Sequence, residues 1–215
     1  FETLIGSDHD DTLAGNDADN VIDGGAGDDT LSGGAGNDTL IGGDGADIVD
    51  YSNDTDGVAV DLETGTGIAT DGTDTLDGIE GATGGAGNDS LTGNGGNDTL
   101  DGGAGHDNIT GNEGADSLSG GAGNDTINGG GGDIMFGGDG NDFIFIDGIA
   151  ADSQAEAFGG DGDDQLSGGA EDDVLNGNDG DDSLLGGEGD DQLDGGDGDD
   201  VLNGDDGHDL GRVSE

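Results

Sequence analysis

Apolar residues recur every nine positions over most of this 215-residue chain. Leu4, Leu13, Ile22, Leu31, Leu40 and Val49 form one run. Leu91, Leu100, Ile109, Leu118 and Ile127 form a second, and Leu166, Leu175, Leu184, Leu193 and Leu202 a third. A fixed period marks a stacked-repeat architecture, in which each unit covers its apolar residue only by packing on its neighbours. The full phrase is Gly-Gly-x-Gly-x-Asp-x-U-x, with U apolar. Clean copies begin at Gly24, Gly33, Gly120, Gly159, Gly186 and Gly195.

Degenerate copies keep the phase. His9, Ala18 and Glu171 each replace a third glycine, and Asn20 replaces an acid. The copy at 129–136 is one residue short and brings Met135 to the U position; in 204–212 that position is Gly211. Val49 to Leu91 spans 42 residues and Ile144 to Leu166 spans 22, neither a multiple of nine. Three repeat blocks are therefore expected, at 1–50, 84–146 and 159–215. A β-rich spacer at 51–83 and a connecting loop at 147–158 should separate them.

Side chains alternate faces along a strand, so in x-U-x the apolar residue points inward and its neighbours outward. The glycines supply turn angles that a Cβ would forbid. Two copies then make one coil of 18 residues, with two short strands facing each other across a thin core. The expected fold is all-β, a right-handed parallel β-roll. Stacked at ~4.8 Å, about twelve coils would make a rod of ~55–60 Å. So many glycines leave no helical periodicity.

Composition sets a condition on this fold. With 54 acids against one basic residue the net charge is −53, and only 27% of residues are hydrophobic. Such a chain stays disordered by itself, because little apolar surface is available to offset ordering and like charges repel. Something must neutralise the acids. Nucleic acid is an unsuitable partner for such a polyanion. There is no cysteine, which rules out a disulfide scaffold and thiolate metal sites. No apolar run is long enough to span a membrane. There is no standard signal peptide, and the start at Phe1 suggests a piece of a longer chain.

Stacked turns would bring pairs of Asp carboxylates and glycine carbonyls around one gap. Six to eight hard oxygens in a flexible shell suit Ca²⁺; Mg²⁺ prefers a tighter octahedron and keeps its waters. Copies n and n+2 share one side of the rod, so each ion should lie between turns that far apart. The three runs would then offer about a dozen sites, leaving the rod still acidic.

The phrase resembles the nonapeptide of the RTX, or haemolysin-type, calcium-binding β-roll family, over about 160 residues. That resemblance implies a parallel β-roll, Ca²⁺ held between turns, and folding outside the cell after type I secretion. The segment 48–83 is also similar to spacers between such blocks. The family's C-terminal secretion signal is not evident after Arg212. On the family pattern the carboxylate ligands are the sixth residues: Asp29, Asp38, Asp47, Asp89, Asp98, Asp107, Asp116, Asp125, Asp133, Asp142, Asp164, Asp173, Asp182, Asp191 and Asp200, with Asp11 and Asp209 toward the ends. Sites using Asn20 should be weak or absent. The accompanying glycines are Gly25 and Gly27, Gly34 and Gly36, Gly43 and Gly45, Gly85 and Gly87, Gly103 and Gly105, Gly121 and Gly123, Gly138 and Gly140, Gly160 and Gly162, Gly187 and Gly189, and Gly196 and Gly198. Fifth-position acids such as Asp28, Asp163 and Asp190 are expected simply to face solvent.

In the spacer, Val58, Val60 and Leu62 share one face of a strand. Thr64 to Gly67 reads as a turn and Ile68 to Thr70 as the partner strand, with Tyr51 packed nearby. Phe143 and Phe145 should point outward, covered by the following loop through Ile149 and Phe158. The alternative is that they meet another chain. His9, His106 and His208 are separate turn residues and form no transition-metal site. No catalytic motif is present, since paired carboxylates everywhere mark no particular pair for acid–base work.

These features point to a secreted, calcium-folded structural module of an extracellular filament, surface layer, matrix or adhesin. Unpaired strand edges would permit end-to-end self-association. The alternative is a calcium-dependent module of a larger secreted enzyme, such as a protease, lipase or polysaccharide epimerase.

Overall fold

The computed structural model describes residues 3–146 and 154–213. Among these residues the chain forms twenty-four strands and no helix. The first repeat block contributes β1 (Thr3–Ile5), β2 (Thr12–Ala14), β3 (Val21–Ala26), β4 (Thr30–Ser32), β5 (Thr39–Asp44) and β6 (Ile48–Asp50). The spacer contributes β7 (Ala59–Asp61), β8 (Thr66–Ala69) and β9 (Gly72–Asp77). Next come β10 (Gly81–Thr83), β11 (Ser90–Thr92), β12 (Thr99–Ala104), β13 (Asn108–Thr110), β14 (Ser117–Ala122), β15 (Thr126–Gly129), β16 (Ile134–Asp139) and β17 (Phe143–Ile146). The last stretch holds β18 (Glu156–Asp161), β19 (Gln165–Ala170), β20 (Val174–Asp179), β21 (Ser183–Glu188), β22 (Gln192–Asp197), β23 (Val201–Asp206) and β24 (Leu210–Arg212).

Outside the spacer, successive strands alternate between two sheets, as a two-copy coil requires. The thirteen-stranded sheet runs β1-β3-β5-β9-β8-β7-β11-β13-β15-β17-β19-β21-β23. The eleven-stranded sheet runs β2-β4-β6-β10-β12-β14-β16-β18-β20-β22-β24, one fewer coil than the period suggests. Pairing is parallel and in register at the apolar positions, Leu100 beside Leu118 and Ile109 beside Ile127. Most of these residues are wholly buried, and the core is one side chain deep on each side. Met135 occupies the U position between Leu118 and Ala157, so the short copy keeps its register.

Many strands are six residues long rather than three, because they continue through the glycine pair. Gly103 lies in register beside Gly121, and Gly169 beside Gly187. Identical turns stack on one another, so their amides bond to carbonyls of the next coil, as Gly105 N–H does to Ala122 O.

The two interruptions differ in kind. At the first, β6 pairs directly with β10, so the eleven-stranded sheet is unbroken. The opposite sheet takes in three strands instead of one. β7 pairs with β11, β8 returns antiparallel, and β9 turns again to pair with β5. Val58, Val60 and Leu62 are all buried there, together with Leu76, Ile79 and Tyr51. The return strand begins at Thr66, inside the expected turn.

At the second interruption the roll continues. β16 pairs with β18 and β17 with β19, and Ala157 fills the U position. The four extra residues lengthen only the connection between sheets, and β18 begins within the expected loop. Phe143 and Phe145 do face outward and meet edge to face at 4.1 Å. Phe158 does not cover them. It lies on the other sheet, beside Phe136 in register, with their rings stacked at 5.2 Å. Ile149 lies outside the described residues.

Candidate metal sites

The sixth and eighth residues of a copy are two apart, so strand alternation turns both inward. The ninth faces out, and the first glycine of the next copy faces in again. In the stretch Asp29 to Gly33 the buried positions are Asp29, Leu31 and Gly33. Each repeat Asp is thereby carried to the margin of the apolar core. Asp29 is 1% exposed, and Asp173 and Asp191 are 0%.

These carboxylates form two hydrogen-bonded ladders along the roll. Beside the eleven-stranded sheet, Asp11 N–H donates to Asp29 Oδ1 at 2.8 Å and Asp29 N–H to Asp47 Oδ1 at 2.8 Å. The same pattern links Asp98 to Asp116, Asp116 to Asp133, Asp173 to Asp191, and Asp191 to Asp209. Beside the other sheet it links Asn20 to Asp38, then Asp89, Asp107, Asp125, Asp142, Asp164, Asp182 and Asp200 in succession. Oδ1 is thus spent on the backbone of the preceding coil, except at Asp98, where it is buried without a hydrogen bond.

The second oxygen has no such partner. Among the described residues, Oδ2 is buried without a hydrogen bond at Asp29, Asp38, Asp47, Asp107, Asp116, Asp125, Asp142, Asp164, Asp173, Asp182, Asp191 and Asp200. An unpartnered buried carboxylate oxygen is costly. Burial accordingly pushes Asp107 and Asp142 up to about 6, and Asp116, Asp164 and Asp173 up to about 7. Neighbouring carboxylates add to the rise, while backbone donors oppose it. A single Arg and three His are far too few basic side chains to compensate them.

A glycine makes room at each position. A Cβ on Gly120 would overlap Asp125 Oδ2 and lie 2.6 Å from Gly137 O. The first glycine of each copy is thus part of the site, a role the sequence reading gave only to the second and fourth. Of those expected second- and fourth-position glycines, all but Gly85 and Gly87 have positive φ.

Not every expected ligand is equivalent. Asp11, Asp89, Asp98 and Asp133 receive on Oδ2 an amide of their own turn, from Ser7, Gly85, Asn94 and Gly130. Asp89 and Asp133 also have Oδ1 filled, by Val58 and Asp116. Asp11, Asp89 and Asp98 lie in opening coils, and the Asp133 turn is a residue short. Asn20 likewise receives Asn16 N–H. Ala155 stands where the ladder should have an acid.

Two ladder members were not among the expected ligands. Asp74 Oδ1 accepts Asp38 N–H at 2.8 Å and Glu80 Oε2 accepts Asp47 N–H at 3.0 Å. Asp74 carried a legible signal, an acid two places before the apolar Leu76; Glu80 precedes Ala82 in the same way.

Fifth-position side chains do more than face solvent. Asp28 N–H donates to Asp10 Oδ1 and Ala46 N–H to Asp28 Oδ1. These exposed bonds form outer ladders pointing opposite to the inner ones. His106 takes part, its Nδ1 accepting Asn124 N–H at 2.7 Å.

No group of three or more His, Cys, Asp or Glu side chains converges among the described residues. A cation here must therefore complete its shell with backbone carbonyls. Acidic oxygens at the core margin, glycine cradles and an all-oxygen donor set fit a hard divalent ion, Ca²⁺ above Mg²⁺. The model of the RTX calcium-binding nonapeptide repeat (four copies) matches residues 5–40, 24–58, 82–109, 102–133, 110–144, 158–193 and 177–210. The chain belongs to the RTX calcium-binding repeat family. The matched stretches stop at the two departures from the nine-residue phase, leaving 59–81 and 145–157 outside. As an RTX chain it is a calcium-binding β-roll. No curated protein matches it. No described helix is long and apolar enough to cross a membrane.

Proposed function

We propose that this RTX chain is a calcium-folded structural module of a secreted protein. At low calcium it is an expanded polyanion. At extracellular calcium it is a stiff roll serving as a spacer or interaction element in a filament, surface layer, matrix or adhesin. It catalyses no reaction. The observation that carries this reading is that twelve Asp of the two ladders have a buried Oδ2 without a hydrogen-bond partner among the described residues. Ions bound by the roll and not by the coil stabilise the roll by mass action. On this reading the ligands are the Asp residues with a free Oδ2, together with turn carbonyls, and about a dozen ions are held.

Circular dichroism and small-angle scattering test the reading directly. In chelator the chain should scatter as a coil without β signal. Millimolar Ca²⁺ should compact it, and equal Mg²⁺ should do much less. A compact β-rich particle in chelator at neutral pH would overturn it.

A further inference from the structure

One rung of the inner ladder is built differently from the rest. Asp74, on β9, accepts Asp38 N–H on Oδ1 like any repeat Asp. Its Oδ2, the atom left unpartnered in most other rungs, accepts the Tyr51 hydroxyl at 2.7 Å. Tyr51 follows β6 and is buried, 6% exposed. Its ring end lies against Gly67 of β8, where a Cβ would overlap the phenol oxygen. Burial, and the Asp74 charge beside it, push the phenol pKa up, so the hydroxyl remains a proton donor.

The rungs that follow the insert are partly satisfied from within. Asp89 receives the Val58 and Gly85 amides on its two oxygens; Asp98 Oδ2 receives the Asn94 amide, while Asp98 Oδ1 is buried without a hydrogen bond. Unpartnered Oδ2 atoms end at Asp47 on one side and resume at Asp107 on the other. Over the same interval the core is widened by Val58, Val60, Leu62, Leu76 and Ile79.

We propose that the Tyr51 hydroxyl does for Asp74 what a cation does for other ladder Asp, making the three-stranded insert a cation-free joint between two calcium-dependent stacks. This rests on reading unpartnered Oδ2 atoms as cation ligands. At Asp74 the rung needs hydrogen-bond partners and no charge; at Asp125 it needs the charge.

The test compares the same substitution at both places in the full chain. Bound calcium per chain is measured by elemental analysis after dialysis, and the calcium midpoint by circular dichroism. Asp125→Asn should lose at least one ion and raise the midpoint several-fold. Asp74→Asn should leave both unchanged, because the amide oxygen can still accept Asp38 N–H and its NH₂ can donate to the Tyr51 oxygen. Tyr51→Phe strands Asp74 Oδ2, and should raise either the ion count by one or the midpoint. Should Tyr51→Phe fail to fold, the Asp74→Asn result decides alone. Loss of an ion in Asp74→Asn equal to that in Asp125→Asn would overturn the joint, as would a Tyr51→Phe protein unchanged in both measures. A silent Asp125→Asn would instead defeat the cation reading of the ladder, and the joint with it.

Discussion

The Asp125 amide donates to Asp142 Oδ1 at 2.8 Å, while Asp125 Oδ1 receives the Asp107 amide at 2.7 Å. One side chain thus fixes the spacing of two coils through Oδ1 and offers Oδ2 to whatever lies in the turn. Asp125→Ala removes both functions. It leaves the Asp107 amide without an acceptor, costing about 1–3 kcal/mol, and takes a carboxylate from the ion. The calcium midpoint should rise several-fold. Hydrogen exchange should increase in strands β12 to β17 while β3 to β5 keep their protection, since stacked repeats couple to their neighbours.

Raised carboxylate pKa values give the roll an unusual dependence on pH. Burial holds Asp107 and Asp142 at about 6 and Asp116, Asp164 and Asp173 at about 7, above the ordinary aspartate value of 3.8. A raised folded-state pKa means that the calcium-free roll binds more protons than the coil. Its contribution is full below about pH 4 and is lost as pH climbs through 6 to 7. Chelated protein should therefore show more β signal at pH 4.5 than at pH 7.5. Calcium must displace the same protons, so its midpoint should fall between pH 5.5 and pH 7.5. A midpoint independent of pH over that range would contradict the burial of these groups.

Two glycine substitutions separate cradle from loop. In Gly120→Ala the new methyl overlaps Asp125 Oδ2 and crowds Gly137 O. This variant should bind fewer ions and require more calcium to fold. A Cβ on Gly95 meets nothing within 4 Å and its φ is not positive. Gly95→Ala should be neutral or stabilising by about 0.4–1 kcal/mol, through a less flexible unfolded chain. Thermal unfolding at saturating calcium reads the difference.

Glu171 occupies the third-glycine position of its copy with φ +77°. A side chain in this left-handed region costs roughly 1–2 kcal/mol, partly offset when glycine loosens the unfolded chain. Glu171→Gly should stabilise the calcium-loaded roll by about 1 kcal/mol, measured as a higher Tm. A lower Tm would show that the Glu171 side chain supports the turn in a way its backbone angle does not disclose.

The period made most of this architecture legible. A nine-residue phrase with one apolar residue has few other ways to bury it, and the coil, the parallel register and the inward Asp follow from strand alternation. The departures lay where the phrase breaks. From Val49 to Leu91 the spacing says that something is inserted, yet the switchback of β7, β8 and β9 depends on which edge each strand finds. Phe158 looked like part of a covering loop because four extra residues hid its repeat phase; stacked on Phe136, it is a ninth residue like any other.

What the sequence by itself determined is the repeat unit: where a strand must run, which residue is apolar, and that excess acid must be neutralised from outside. Only the tertiary structure decided which carboxylates remain unpartnered. Asp107 and Asp89 stand in the same phrase, but Asp89 is closed by the Val58 and Gly85 amides and Asp107 Oδ2 is not. The reason is physical. A local phrase sets the direction in which an acid points, whereas the path of the folded turn decides whether an amide reaches its second oxygen: Gly85 lacks the positive φ of Gly103 and its N–H meets Asp89 Oδ2.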